Sequence, residues 1–357
     1  MLVMQRRLNV HPAMEGNSQN RHQSHPHPAT ARMAPVVEVR HTQVRAAHAQ
    51  ANKETKMFMD FVNVDIGLAS YYLVDFLIAV ALLSAMRFFA GLVGNVSATK
   101  EISHNDNKAF GVSLAGAMVA VSIMLMGVVS GDAGYNLANE VLTVILFGVI
   151  GITLMWLTRI AFDRISFPGL SIHDQIMKGN MSASIIDACN MIATAIIIKG
   201  AMVWVDGGMA MAIFAVIISF IASQIIMALA TLYRVKVYAK RHSHKGKQLH
   251  EAIEENNVAL ALRFSAYRVG IAIAVSAAFT AVEYEADAFL YVFMLWFAVA
   301  LVLFVLLTLI AIVIRHGVLP RINIGEEVGE QGNIAVGVIE GSIYIVVGLL
   351  LSGLIGA

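Results

Sequence analysis

Asp187, Arg268 and Glu340 are ionisable side chains set inside long apolar runs, and they are where chemistry is expected in this chain. Each run opens on an asparagine, and the two acids fall seven residues after Asn180 and Asn333, while the arginine falls eleven after Asn257. At about 100° per residue those offsets return to within about 20° of the asparagine. All three should therefore project from one helix face towards neighbouring helices. A charge at lipid-core depth costs about 2.5–3.5 kcal/mol, so it normally has a partner. The guanidinium fork suits carboxylates, and Arg268 is expected to pair with Asp187, Glu340 or both. Tyr344 and Asn190, on or near this face, would add polar contacts. Two carboxylates and one guanidinium leave a surplus negative charge, to be neutralised by a proton or a bound cation. The competing interpretation is a buried ion pair that only fixes helix register. Arg263 points about 120° away and lies about 9 Å along its helix, so it is expected to snorkel to the surface as an anchor.

The elements that must position these groups are membrane spans. The 357 residues are 58% hydrophobic and 14% charged, with mean hydropathy +0.71, outside the balance of soluble domains. Apolar runs of about 20 residues match a bilayer's hydrocarbon thickness. Eight occur, near 71–93, 109–130, 138–160, 182–204, 208–232, 258–281, 288–314 and 334–356. The expected fold class is all-α, a polytopic membrane protein. A net charge of +1 leaves no nucleic-acid footprint, and Cys189 is the sole cysteine, which excludes an intrachain disulfide and a cysteine-based zinc site. Residues 1–56, rich in His, Asn, Gln and Pro, read as a disordered extension.

Lys and Arg alternate between loops. Lys100, Arg164, the cluster "RVKVYAKRHSHKGK" (234–247) and Arg321 follow odd-numbered spans, whereas "SGDAGYN", "VDGG" and "EYEADA" carry none. Positive loops stay cytoplasmic, so both chain ends should face outward. The eight Lys and Arg of residues 1–56 resist translocation, which favours a translation start at Met57 or Met59. Tyr71, Tyr72, Tyr135, Trp204 and Tyr291 fit an outer aromatic belt. Asp75, Asn139 and Glu140 lie near that outer surface, where hydration is cheap.

The spans also repeat. Aligning even-numbered spans on Asn107, Asn180, Asn257 and Asn333 places Glu101, Asp174, Glu251 and Glu327 six residues earlier. Small residues recur four, eight and twenty residues later, and Arg87, Arg159, Arg234 and Arg315 close the odd spans. Four tandem units (57–130, 131–204, 205–281 and 282–357) follow, each returning the chain to its starting side, so all share one orientation. The asparagines suit helix N-caps. The acids ring the cytoplasmic loops, either as solvated carboxylates or as a vestibule that concentrates cations. Small ridges let backbones approach closely where apolar burial gives no drive, so the even helices should cluster centrally with the odd ones towards lipid.

"EENNVALALRFSAYRVGIAIA" and "EQGNIAVGVIEGSIYIVVGLLLSG" resemble the YjfL-like bacterial inner-membrane family, built of two-helix units. Ser182 in "GNMSAS" and Lys108 depart from the family pattern. The resemblance implies a bacterial inner-membrane location and carries no activity.

No HExxH or GxSxG frame is present, so an enzyme is not expected. Neither is a cofactor. His104, His173 and His250 lie near loop acids without diagnostic metal spacing, and Cys189 reads as a packing residue. The expected function is a channel or transporter for a proton, cation or small cationic solute. The alternative is a scaffold docking a cytoplasmic protein through the basic 234–247 loop, which equally suits anionic lipid. Homo-oligomers fit either function.

Overall fold

The computed structural model describes residues 50–51, 53, 73–84, 98–130, 137–165, 167, 169–206, 208–242 and 248–356. Residues 1–49, Met57 and Met59, Tyr71, Tyr72, Arg87, Tyr135 and residues 243–247 lie outside the described set. The helices are α1 (Leu73–Ser84), α2 (Ala98–Ser103), α3 (Lys108–Val129), α4 (Leu137–Ile165), α5 (Ile172–Met177) and α6 (Met181–Trp204). They continue as α7 (Met209–Arg241), α8 (Leu249–Glu254), α9 (Val258–Ala281), α10 (Phe289–Val318), α11 (Ile324–Gly329) and α12 (Ile334–Ile355). Seven of these are long and apolar enough to cross a bilayer, and α1 is the described part of the eighth expected run.

Units 2, 3 and 4 are each a long helix, a six-residue helix and an asparagine-capped helix, and the described helices of unit 1 come in the same order. The sequence pattern anticipated a polar loop where the six-residue helix stands. Asn107, Asn180, Asn257 and Asn333 each accept, through Oδ1, the N–H three residues on, at 3.0, 3.0, 2.9 and 3.3 Å. The residue before each asparagine has positive φ: Asp106, Gly179, Asn256 and Gly332. Those are the residue types that tolerate the left-handed region.

The same side chains link units. The Nδ2 of Asn107 donates to the Ile176 carbonyl at 3.1 Å, that of Asn180 to Ile253 at 2.8 Å, and that of Asn257 to Val328 at 2.9 Å. Each receiving carbonyl sits at the end of the next unit's short helix. All four capped helices therefore start at one end of the bundle, as like-oriented units require. Asn180→Ala removes a cap worth about 0.5–2 kcal/mol and strips the donor from the Ile253 and Glu254 carbonyls. Asn180→Asp keeps the cap and turns an acceptor onto those carbonyls. Both should lower the thermal unfolding midpoint, with Asp no better than Ala; a silent Asp variant would remove the inter-unit role.

α3, α6, α9 and α12 pack side by side in an open row, α3 on α6, α6 on α9 and α9 on α12. The middle pair is buried over 72% of its apolar window, against 44% for α3 and 50% for α12. Close approach is made by glycine. A Cβ on Gly270 would lie 2.4 Å from the Tyr344 carbonyl oxygen, and one on Gly348 2.6 Å from that of Gly270. The odd helices back the row: α4 lies on α3 and α6, α7 on α6 and α9, and α10 on α9 and α12. α7 has 33 residues, about 50 Å at 1.5 Å per residue, so its last turns, with Arg234, overrun a hydrocarbon layer of about 30 Å. Trp204, expected in an outer belt, is buried instead. Its Nε1 donates to the Val282 carbonyl at 2.6 Å and its ring meets Phe279, Tyr284 and Trp296. Tyr291 is exposed.

Candidate functional site

Near the short-helix end the row encloses three polar groups. The first is built on Asp187, 2% exposed, which meets Arg159 of α4 at 3.0 Å and accepts from Ser113 Oγ of α3 at 2.5 Å. The second is built on Glu340, fully buried, which accepts from Arg263 Nη2 of α9 at 3.0 Å and faces Arg315 of α10 at 3.6 Å. The plan is the same in both. An acid seven residues past the capping asparagine meets the repeat arginine of its own odd helix and the residue at offset six of the preceding capped helix.

Unit 3 breaks the plan. Phe264 stands where Asp187 and Glu340 stand, and the repeat arginine, Arg234, has no acid of its own unit. Its guanidinium lies over the rings of Tyr267 (4.0 Å) and Tyr344 (4.7 Å), which are themselves edge-on at 5.1 Å. Such cation–π contacts offset part of the desolvation cost. Its Nε and Nη2 are buried.

The third group corrects an expectation. Arg268 is buried but pairs with neither acid. It donates to Asn190 Oδ1 at 2.6 Å and to Thr231 Oγ1 at 2.5 Å, and its guanidinium lies over the Phe162 ring. Arg263, expected as a snorkelling anchor, is the residue that holds Glu340. In a row of like-oriented helices, equal azimuths point in the same direction and so cannot face one another. Contacts form between the leading face of one helix and the trailing face of the next, which is where Arg263 and Ser113 lie. The signal was present in the sequence: the arginines repeated at the odd-helix ends supply the partners.

The sign of the charge also reverses. Among the described residues, five guanidiniums stand around these groups, Arg159, Arg234, Arg263, Arg268 and Arg315, to two carboxylates. The expectation of a surplus negative charge is overturned.

The short-helix acids have structural partners. Glu101 accepts from Asn105 Nδ2 at 2.8 Å and from Asn107 Nδ2 at 3.4 Å, and Glu327 accepts from Asn333 Nδ2 at 2.8 Å. Glu251 closes a capping box with Gln248, while the N–H of Asp174 is capped by Ser171. They are spread along the row. Among the described residues no His, Cys, Asp and Glu gather as a metal site.

A cavity of about 560 Å³ opens at this end between α7, α10 and α11. Its lining includes Arg241, His242, Arg315, His316 and Arg321, opposed by Glu326 and Glu330. His242, the C-cap of α7, is buried. Its ring stacks on Tyr238 and its Nε2 lies 3.2 Å from the Gly325 carbonyl. Gly329 leaves the room that ring needs, since a Cβ there would sit 2.5 Å from Nε2. Arg315 thus belongs to both the cavity wall and the Glu340 site.

Apolar spans, like-oriented tandem units and a row held by caps and glycines define a polytopic membrane protein built on a two-helix repeat. The chain belongs to the family described as Domain of Unknown Function (DUF350), which matches it twice, over residues 61–202 and 208–355. Each match takes in two units. No curated protein and no solved structure matches.

Proposed function

We propose that this membrane protein takes up a small oxyanion in the basic cavity at its short-helix end and admits it towards the arginine layer of the helix row. The observation that carries this is Arg315, which lines the cavity and lies 3.6 Å from the buried Glu340. An anion arriving in the cavity competes with Glu340 for that guanidinium, and Arg234 and Arg263 lie deeper in the same layer. The protein acts without enzymatic chemistry in this reading. By the positive-inside rule the cavity faces the cytoplasm, with both chain ends opposite, in a bacterial inner membrane as the YjfL-like resemblance implies. A cation route through Asp187 and Glu340 loses support because both carboxylates are held by arginine and the local charge is positive.

Proteoliposomes decide the matter. Phosphate uptake is expected, with potassium and proton flux at background, and Arg315→Gln should lower uptake at least tenfold. Potassium or proton flux without phosphate uptake would restore the cation carrier. Absence of all flux, with an anionic lipid retained in native mass spectra and lost on Arg315→Gln, would make the cavity a headgroup site on a scaffold.

A further inference from the structure

The row of capped helices ends at both sides in halves of the contact it makes three times internally. Offsets two, six and thirteen from the capping asparagine form the leading face. On α9 these are Ala259, Arg263 and Gly270, all buried under α12. On α12 the same offsets are Ala335, Ile339 and Val346, all exposed. Offsets four, eight and fifteen form the trailing face, and on α6 they are Ser184, Ala188 and Ala195, all buried. On α3 they are Gly111, Ala115 and Ser122; Ala115 and Ser122 are exposed and Gly111 is half-buried, with nothing within 4 Å of an added Cβ.

Lipid does not require that pattern. Where this protein faces outward from α10, it presents Leu290, Val302, Val305, Leu309 and Val313. α3 instead keeps Gly, Ala and Ser at the offsets where every other unit receives a helix backbone. Small residues favour close helix approach within a bilayer.

The capping asparagines give a second, polar half of the same argument. Three of them donate to the end of the next unit's short helix, whereas Asn333, on the last described capped helix, turns to Glu327. The matching acceptors in the first unit are the carbonyls of Ile102 and Ser103. They stand five and four residues before Asn107, as Val328 and Gly329 stand before Asn333. The two loops have the same form, with the asparagine N–H bonded six residues back to Glu101 and to Glu327. Both Ile102 and Ser103 are exposed.

We infer that the partner of each free end is a second copy of this chain, docked head to tail so that α12 of one copy continues the row onto α3 of the next. The contact is heterologous, so it closes a ring or extends as an open array. Val346 stands where Ala120, Ala193 and Gly270 stand, which makes the contact between copies looser at its centre than those within the chain. This inference does not depend on the anion reading.

Offset nine of one helix meets offset eight of the next in Gly116–Ala188 and again in Ala266–Gly341. Between copies that pair is Ser342 and Ala115. In a Cys189→Ala background, one tagged copy carries Ala115→Cys and a second carries Ser342→Cys, co-expressed and oxidised in native membranes. A covalent dimer of the two different copies is expected, with no cross-link when both copies carry the same cysteine. Both changes exchange small residues at exposed sites, and unchanged thermal midpoints verify the fold. Cross-linking of Ala115→Cys to itself would replace the head-to-tail contact by a two-fold one and overturn the proposal. So would absence of any cross-link together with a monomeric mass for the unmodified protein in lipid nanodiscs, which would assign both faces to lipid.

Discussion

Glu340→Leu should destabilise the protein by about 3–5 kcal/mol, the cost of removing one partner from a buried ion pair. The measurement is the midpoint of thermal unfolding in detergent, read beside the unsubstituted protein. Glu340 is fully buried and is the carboxylate on which Arg263 and Arg315 converge. Arg234 lies over Tyr344, one helical turn beyond it. Without the acid, Arg263 has no comparable way out, because it is 8% exposed and packed at the α9–α12 contact. Adding Arg263→Leu to Glu340→Leu should recover much of the loss, since apolar replacement of both partners avoids the uncompensated charge. Arg315, at the cavity wall, can then turn to water. Asp187→Leu should cost less, because the side chain of its partner Arg159 is 35% exposed and can leave the site. An unchanged midpoint for Glu340→Leu, or no recovery in the double variant, would deny the carboxylate its role as counter-charge.

Much of the fold was legible because its periods are long and its penalties large. Apolar runs set at 109–130, 182–204, 258–281 and 334–356 fall within a residue or so of α3, α6, α9 and α12, since a capping asparagine marks each start. Three odd helices, α4, α7 and α10, are longer than their apolar runs. α7 was expected to stop near 232 and continues to Arg241, because amphipathic turns beyond the bilayer carry no hydropathy signal. The six-residue helices were missed for a related reason. A helix of one and a half turns is unstable alone and forms only where packing holds it, as Ile172, Ile176, Leu249 and Ile253 do here.

The polar site was half legible. That Asp187, Arg268 and Glu340 turn inward follows from azimuth and from the cost of facing lipid. Which of them meet depends on the order of helices in the row, and azimuth on a single helix does not contain that order. The repeat arginines held the missing information. Arg159 and Arg315 both stand near the ends of their odd helices and meet acids that share one offset from the capping asparagine, whereas Arg268 has no counterpart in other units. A repeated residue is more informative about a shared contact than a solitary charge at a suggestive angle.

Gly270→Leu tests the row itself and should be the most severe change away from the charges. Gly270 and Gly348 bring the backbones of α9 and α12 together, with an added Cβ 2.4 Å from the Tyr344 carbonyl oxygen and 2.6 Å from its carbon. The obstructing atoms are main chain, so no rotamer change relieves the clash, and the helices must separate. Overpacking of a rigid core costs about 1–3 kcal/mol and occasionally more, and here the separation also pulls Arg263 from Glu340, adding the penalty of an unpaired buried charge. The expected result is a fall of at least about 3 kcal/mol in stability, or failure to purify as a folded species. Gly317→Ala is the matched control. Gly317 is also helical, in α10, but nothing lies within 4 Å of its added Cβ, so the change should be neutral or stabilising by up to about 1 kcal/mol through helix propensity. If both glycine changes lowered the midpoint equally, loss of backbone freedom rather than helix contact would explain the effect. A large gap between them locates the stability of the membrane row in the approach of α9 to α12.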